Sequence, residues 1–317
     1  METHGTVGVY CLANDTVLDW FIALCESLRS VEPAIPLVVI PFDEAVEKLS
    51  KLRGRYGFSF IDDRSLDDLD RIGATLYPEN HAAAHLHRKF AVFWGPFDHF
   101  LFLDSDIVVV SELHSVLSGY LSSPCRFLYF DRDLDQVYRP GAFRDRMARA
   151  YASKGFNTGA FVSSKGMLTI DDVRAAAVAA VSLVKNFAPT GEQPFFNYCV
   201  DTKRLSVLRA ADVLPGRPMA AWGGLTPPKR VEREKRLMDR RSGDVSKRVL
   251  LIHWAGVPCD LAMPNRGIFM SYRLKGRPPL ARLAFALTFH PFMKRLTPAP
   301  LFRKLYRRLP RGSTANA

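Results

Sequence analysis

Residues 100–106 constrain this chain more than any other segment. Phe100-Leu101-Phe102-Leu103 is an unbroken apolar run that leads directly into Asp104-Ser105-Asp106. Short runs of this kind are strands buried on both faces, as in the interior of parallel sheets. Side chains alternate along an extended chain, so Asp104 and Asp106 project to the same side. Two carboxylates at the edge of an apolar sheet repel each other and resist desolvation, and a divalent cation relieves both costs. Ligands of parallel sheets also gather outside the carboxyl ends of the strands. The segment therefore predicts an α/β sheet with Mg²⁺ or Mn²⁺ at its rim, bridging a diphosphate.

The surrounding pattern agrees. Short apolar runs at 6–12, 36–41, 58–61 and 100–103 alternate with helical patterns at 17–31, 44–56 and 81–94, the last stopped by Gly95-Pro96. Such alternation reads as βα units and a largely parallel sheet. Beyond it, 107–110, 125–130, 159–163 and 249–252 read as strands. Asp171-Asp172 open a helix reaching 187, and 193–200 is a short helix. The pattern predicts an extended pair over 203–214 and a mobile insertion over 215–247, which is rich in Pro, Gly, Arg and Lys.

The acidic motif alone leaves two further readings open. One is a turn carrying two solvated aspartates. The other is a dehalogenase-type phosphatase, with Asp104 as nucleophile and Asp106 as acid–base. That chemistry wants the motif on the first strand, whereas about a hundred residues precede it here, and its later acidic pair falls on Asp171-Asp172.

Charge narrows the partners. Of 44 Lys and Arg and 32 Asp and Glu, twelve basic and no acidic residues lie beyond Asp260, so the first 260 residues are balanced. The excess of +12 belongs to a tail. This disfavours a broad nucleic-acid surface and favours one local anionic partner. The five cysteines form no CxxC pair and read as reduced thiols of a cytoplasmic protein. Residues 1–6 lack the basic and apolar stretches of a secretory leader, and no window spans a bilayer.

Six elements then occur in a telling order. Leu12-Ala13-Asn14-Asp15-Thr16 precedes a helix. His81 stands eight residues before Lys89-Phe90. Asp104-Ser105-Asp106, Phe156-Asn157-Thr158-Gly159, Glu192-Gln193 and His253-Trp254-Ala255-Gly256 follow. Over residues 6–256 the chain resembles the GT-A-fold nucleotide-sugar transferases, most closely glycosyltransferase family 8. The resemblance implies a Rossmann-like mixed sheet flanked by helices in domain 1–260, followed by a basic helical extension over 261–317. It implies a metal-dependent, retaining hexosyl transfer from a UDP-sugar to a glycan or lipid-linked acceptor, or a degenerate, non-catalytic relative at a membrane. In its terms Leu12, Ala13, Asn14 and Thr16 hold the uridine. Asp104, Asp106 and His253 bind Mn²⁺ or Mg²⁺, with Ser105, Lys89, Gly159 and Gly256 around the donor. Asn157, Glu192 and Gln193 line the reacting sugar.

Two departures stand out. Lys89 replaces the family's Arg, which removes a bidentate contact. Val257-Pro258-Cys259-Asp260 lacks the family's diphosphate-clamping Lys, leaving Lys229, Arg230 or Arg266 as substitutes. His81 and His85 have i,i+4 spacing, and with His87 they are expected to be solvated or to face the donor. Acceptor recognition is expected in 131–151 and 215–247. Along 273–311 basic residues alternate with Leu, Phe and Tyr. That pattern suits either a helix lying on the anionic inner face of a membrane or one packed on the domain.

Overall fold

The computed structural model describes residues 5–123, 125–223, 229–231, 236–238, 248–260 and 263–288. The first part runs β1 (Val7–Ala13), α1 (Leu18–Val31), β2 (Leu37–Pro41), α2 (Glu47–Ser50), α3 (Arg53–Tyr56), β3 (Phe58–Phe60), α4 (Leu66–Leu76), α5 (His81–Leu86) and β4 (His99–Leu103). The middle runs β5 (Ile107–Val109), α6 (His114–Leu121), β6 (Phe127–Tyr129), α7 (Ala142–Tyr151), β7 (Ala160–Ser164), α8 (Ile170–Ala180), α9 (Gln193–Thr202), β8 (Leu208–Arg209) and α10 (Ala210–Val213). The last part runs β9 (Met219–Trp222), β10 (Lys229–Val231), β11 (Arg236–Met238), β12 (Val249–His253), α11 (Arg266–Arg273) and α12 (Pro279–Thr288).

Seven strands form the main sheet in the order β3-β2-β1-β4-β7-β6-β8. The pairs β1–β2, β2–β3 and β1–β4 are parallel, and β7 runs antiparallel to both β4 and β6. The sheet is therefore mixed, with its parallel half where the βα alternation put it. Both faces of β4 are fully buried. Phe100 and Phe102 pack with Phe93 and Phe161 on one side, while Leu101 and Leu103 meet Phe21 and Leu24 of the α1 layer on the other. A second sheet, β5-β12-β9, is entered by the chain directly after β4.

Several sequence expectations need correction. The helix expected over 44–56 breaks into α2 and α3, and that over 81–94 turns into a 3-10 stretch after Leu86. Only Leu208–Arg209 of the expected extended pair is a strand; Ala210 and Ala211 are buried good helix formers and open α10 instead. The sequence reading passed over α4, α6 and α7. In α4, Leu66, Leu69 and Leu76 are apolar at helical spacing, and Gly73 stands between them. It is there because a Cβ would lie 2.5 Å from the Ala84 backbone of α5. Within 215–247, β9 and the antiparallel β10–β11 pair are extended, and residues 224–228, 232–235 and 239–247 lie outside the described residues.

The tail begins on the domain. Phe269 of α11 is buried against Trp20 of α1, ring centroids 4.8 Å apart. Arg273, 4% exposed, sits 2.6 Å from Asp19 and 4.5 Å above the Phe285 ring of α12. Among the described residues no helix is long and apolar enough to cross a membrane. Residues 289–317 lie outside them.

α9 is buried from Gln193 to Asp201. Tyr138 donates a hydrogen bond of 2.9 Å to Asp201, yet burial pushes this carboxyl up to about 6 from an ordinary 3.8. The folded state thus keeps a proton that the unfolded chain releases. Asp201 stabilises the fold fully below about pH 4 and loses that contribution as pH rises through about 6. Asp201→Asn cannot ionise. Its stability relative to wild type, read by urea unfolding, is expected to improve by roughly 3 kcal/mol between pH 4 and pH 8. A difference flat with pH would contradict this.

Candidate functional site

The turn Asp104-Ser105-Asp106 sits where the chain changes sheets. The Asp104 amide donates to the Gly159 carbonyl at 2.7 Å, the last rung before β7, and Ile107 then begins β5 in the second sheet. Antiparallel register pairs Ile107 with His253, and the Trp254 amide donates to the Asp106 carbonyl at 3.1 Å. Strand pairing thus delivers His253 to the acidic turn. Its Nε2 lies 3.1 Å from Asp106 Oδ1 and 3.9 Å from Asp104 Oδ2. One ligand atom from each residue falls within 4.8 Å of the others.

These three residues fit a divalent cation. Asp106 Oδ1 is buried without a hydrogen-bond partner, although an imidazole nitrogen stands 3.1 Å away. Two donor atoms close but misaligned for a hydrogen bond are spaced as neighbouring ligands of one ion. Gly159 leaves the room: a Cβ there would lie 2.3 Å from His253 Cε1 and 2.8 Å from Asp104 Oδ2. Burial raises the Asp104 carboxyl, a push that Lys89 opposes and Asp106 reinforces. Burial works the same way on Asp106, but the His253 ring holds its carboxyl below the ordinary value. With Glu192 nearby, three carboxylates face one ammonium, a surplus of negative charge that an imidazole and a hard cation suit.

A second layer lies beneath the first. Lys89 is 2% exposed, and its Nζ reaches Glu192 Oε1 at 2.5 Å, Asp104 Oδ1 at 3.1 Å and the Thr158 carbonyl at 3.2 Å. These contacts use the three donors of an ammonium. Lys89 is thus a buried counter-charge joining two acidic elements. Glu192 Oε1 also accepts from the Thr158 hydroxyl at 2.9 Å. Gln193, at the start of α9, accepts from the Thr158 amide at 3.3 Å and donates to the Gln136 carbonyl at 3.2 Å. Asn157 Oδ1 accepts from the Gly159 amide at 2.8 Å.

Asn197 is the positioning residue that sequence reasoning missed. It is fully buried one turn after Gln193, donating to the carbonyls of Phe156 and Gln193 and accepting from the Phe156 amide. It locks 156–159 onto α9. The only sequence signal was its i,i+4 spacing from Gln193.

On the other side of the turn, Leu12 and Ala13 are buried at the end of β1. Asn14 accepts from the amides of Thr16 and Val17 and donates to Asp43 at 2.8 Å. Asp43, which the sequence reading did not single out, follows the adjacent parallel strand β2. Thr16 is exposed and Ser105 partly buried at the same rim. Gly256 adopts φ +69° in the turn after His253. Arg266 opens α11, whereas the side chains of Lys229 and Arg230 lie outside the described residues. His81 starts α5. His85 Nδ1 stands 3.0 Å from Asp70. His87, expected to be solvated or donor-facing, is fully buried with Nδ1 2.8 Å from the Ala83 carbonyl, and burial lowers its pKa. Asp171 and Asp172 are not an acidic pair of the site: Thr169 and Asp172 form a capping box at the start of α8.

No family model matches the sequence, and no curated protein matches it. Solved structures do. The galactosyltransferase LgtC, solved with donor and acceptor sugar analogues, superposes with TM-score 0.55 at 16% identity, over 87% of this chain and 99% of that one. Mouse xyloside xylosyltransferase 1 gives 0.51 at 13% identity, over 80% and 99%. The bifunctional glycosyltransferase WbbM gives 0.54 at 13%, over 91% of this chain and 52% of that one. The mixed sheet, its topological break at the acidic turn and these superpositions agree: the chain has the fold of the GT-A glycosyltransferases.

Proposed function

We propose that the protein is a metal-dependent, retaining hexosyltransferase that moves a sugar from a UDP-sugar to a glycan or lipid-linked glycan. The observation that carries this reading is the Asp104–Asp106–His253 cluster at the rim of a GT-A sheet, backed by Lys89 and Glu192. Asn14, with Leu12, Ala13 and Thr16, forms the uridine side of the rim, and Asp43 fixes the Asn14 amide. Asp104, Asp106 and His253 hold Mn²⁺ or Mg²⁺, with Gly159 and Ser105 beside it. The bound ion supplies positive charge for the departing diphosphate. Lys89 holds the Glu192 carboxyl below its ordinary value against burial and opposes the upward push of burial on Asp104, through hydrogen bonds to both carboxylates. Glu192 and Asn157 present oxygens to the sugar hydroxyls. Gln193, clamped between Thr158 and Gln136, faces the cationic transition state, and Gly256 turns the chain after His253 through its left-handed backbone.

The tail supports a reading of where the protein works. Leu280, Leu283 and Leu287 are exposed on α12, and ten of the twelve tail cations lie in 275–311. We read this as reversible docking on an anionic inner leaflet from the cytoplasm, where lipid-linked acceptors lie.

Calorimetry of UDP binding tests the core of the reading. Wild type is expected to bind UDP with Mn²⁺ and weakly without it, and Asp106→Ala to lose the metal-dependent part, about a hundredfold or more. No UDP binding under any metal condition would sink it.

A further inference from the structure

Of the four tryptophans, Trp222 is the exposed one, at 43%. It ends β9, and the parallel register of β9 and β12 sets it beside His253. Residues in register on neighbouring strands project to the same face, about 4.8 Å apart. The neighbouring positions confirm which face that is. Trp254 turns the opposite way, into the core with Trp20 and Phe269, and a Cβ on Gly223 would strike its ring at 2.5 Å. Trp222 therefore shares the side of the sheet on which His253 meets Asp104 and Asp106. Its indole N–H donates to the Ala255 carbonyl at 3.3 Å, which ties the ring edge to the turn following His253.

A large apolar ring held exposed beside a charged centre needs a reason, because burying it would stabilise the fold. The residues assigned to the nucleoside, Asn14 and Asp43, follow β1 and β2 of the main sheet, whereas Trp222 stands on β9 of the second sheet. An indole carries a negative π-face and one N–H, and here the N–H is already engaged. What remains is a flat surface matched to polarised C–H bonds, such as those on the apolar face of a pyranose ring.

We propose that Trp222 is the stacking platform for a neutral pyranose of the acceptor. This rests on the transferase reading and names the acceptor's chemistry at that site. The platform sets binding and orientation of the acceptor and takes no part in metal or UDP binding.

The test uses the full chain with Mn²⁺ and UDP, and methyl β-galactopyranoside, methyl β-glucopyranoside and lactose as probes. Saturation-transfer NMR is expected to show ring C–H signals from at least one probe. Trp222→Ala should weaken that binding about fivefold or more, and Trp222→Phe should retain most of it. UDP–Mn²⁺ binding by calorimetry should be unchanged in both variants, which also reports that they fold. No probe signal with wild type, or an equal signal with Trp222→Ala, overturns the proposal. Loss of UDP binding in Trp222→Ala would place the ring on the donor and overturn it too. Absence of UDP binding in wild type would instead be failure of the transferase reading itself.

Discussion

Lys89→Met is expected to destabilise the protein by about 3–5 kcal/mol, the usual cost of removing one partner from a buried ion cluster. The side chain is 2% exposed and lies between Glu192, 4% exposed, and the partly buried Asp104. Methionine fills similar volume but leaves the Glu192 carboxylate without a cation. Desolvation acts to raise the Glu192 carboxyl, and Lys89 is what holds it below its ordinary value. Urea unfolding at neutral pH checks the magnitude. The double variant Lys89→Met/Glu192→Gln should recover at least half of the loss, because the orphaned charge goes with the second change. A cost below about 1 kcal/mol for Lys89→Met would mean the cluster behaves like an exposed ion pair.

Gly159→Ala is expected to remove metal-dependent UDP binding, by about a hundredfold or more on the calorimetric scale. The added methyl would sit 2.3 Å from His253 Cε1 and 2.8 Å from Asp104 Oδ2, so the ring must leave the position that makes it a ligand. The backbone at 159 is not left-handed, so the methyl itself is the perturbation. Gly256→Ala is the contrasting control. Gly256 has open space around it but φ +69°, and alanine there strains the backbone by about 1–2 kcal/mol without entering the cluster. Gly159→Ala should therefore lose binding far more than stability, and Gly256→Ala the reverse. Equal UDP binding by Gly159→Ala and wild type would remove His253 from the metal centre.

Much of this architecture was legible because it rests on local chemistry. An apolar tetrapeptide running into two aspartates has few places to fold, and β4 ends at the sheet rim with both carboxylates on the site. The αβ alternation was visible in period and length. What was misread depended on neighbours. The 66–76 helix carries a glycine whose reason, the close crossing of α5, lies in another segment, and Ala210-Ala211 looks extended until its burial selects a helix turn. His87 looked like a solvated or donor-facing residue and proved to be a core residue, since nothing in its own segment reveals what packs over it.

The sequence by itself determined the chemical inventory: the paired carboxylates, the late histidine, the Glu192-Gln193 pair and a charge excess confined to the tail. Tertiary structure decided the pairings. Lys89 and Glu192 are 103 residues apart and meet around Thr158, in the segment that α9 locks in front of β7. His253 reaches Asp106, Trp222 reaches His253 and Asn14 reaches Asp43 through strand register alone. Register is a property of two segments at once. A shift of one residue would turn His253 and Trp222 to the opposite face, and no single segment records which register wins.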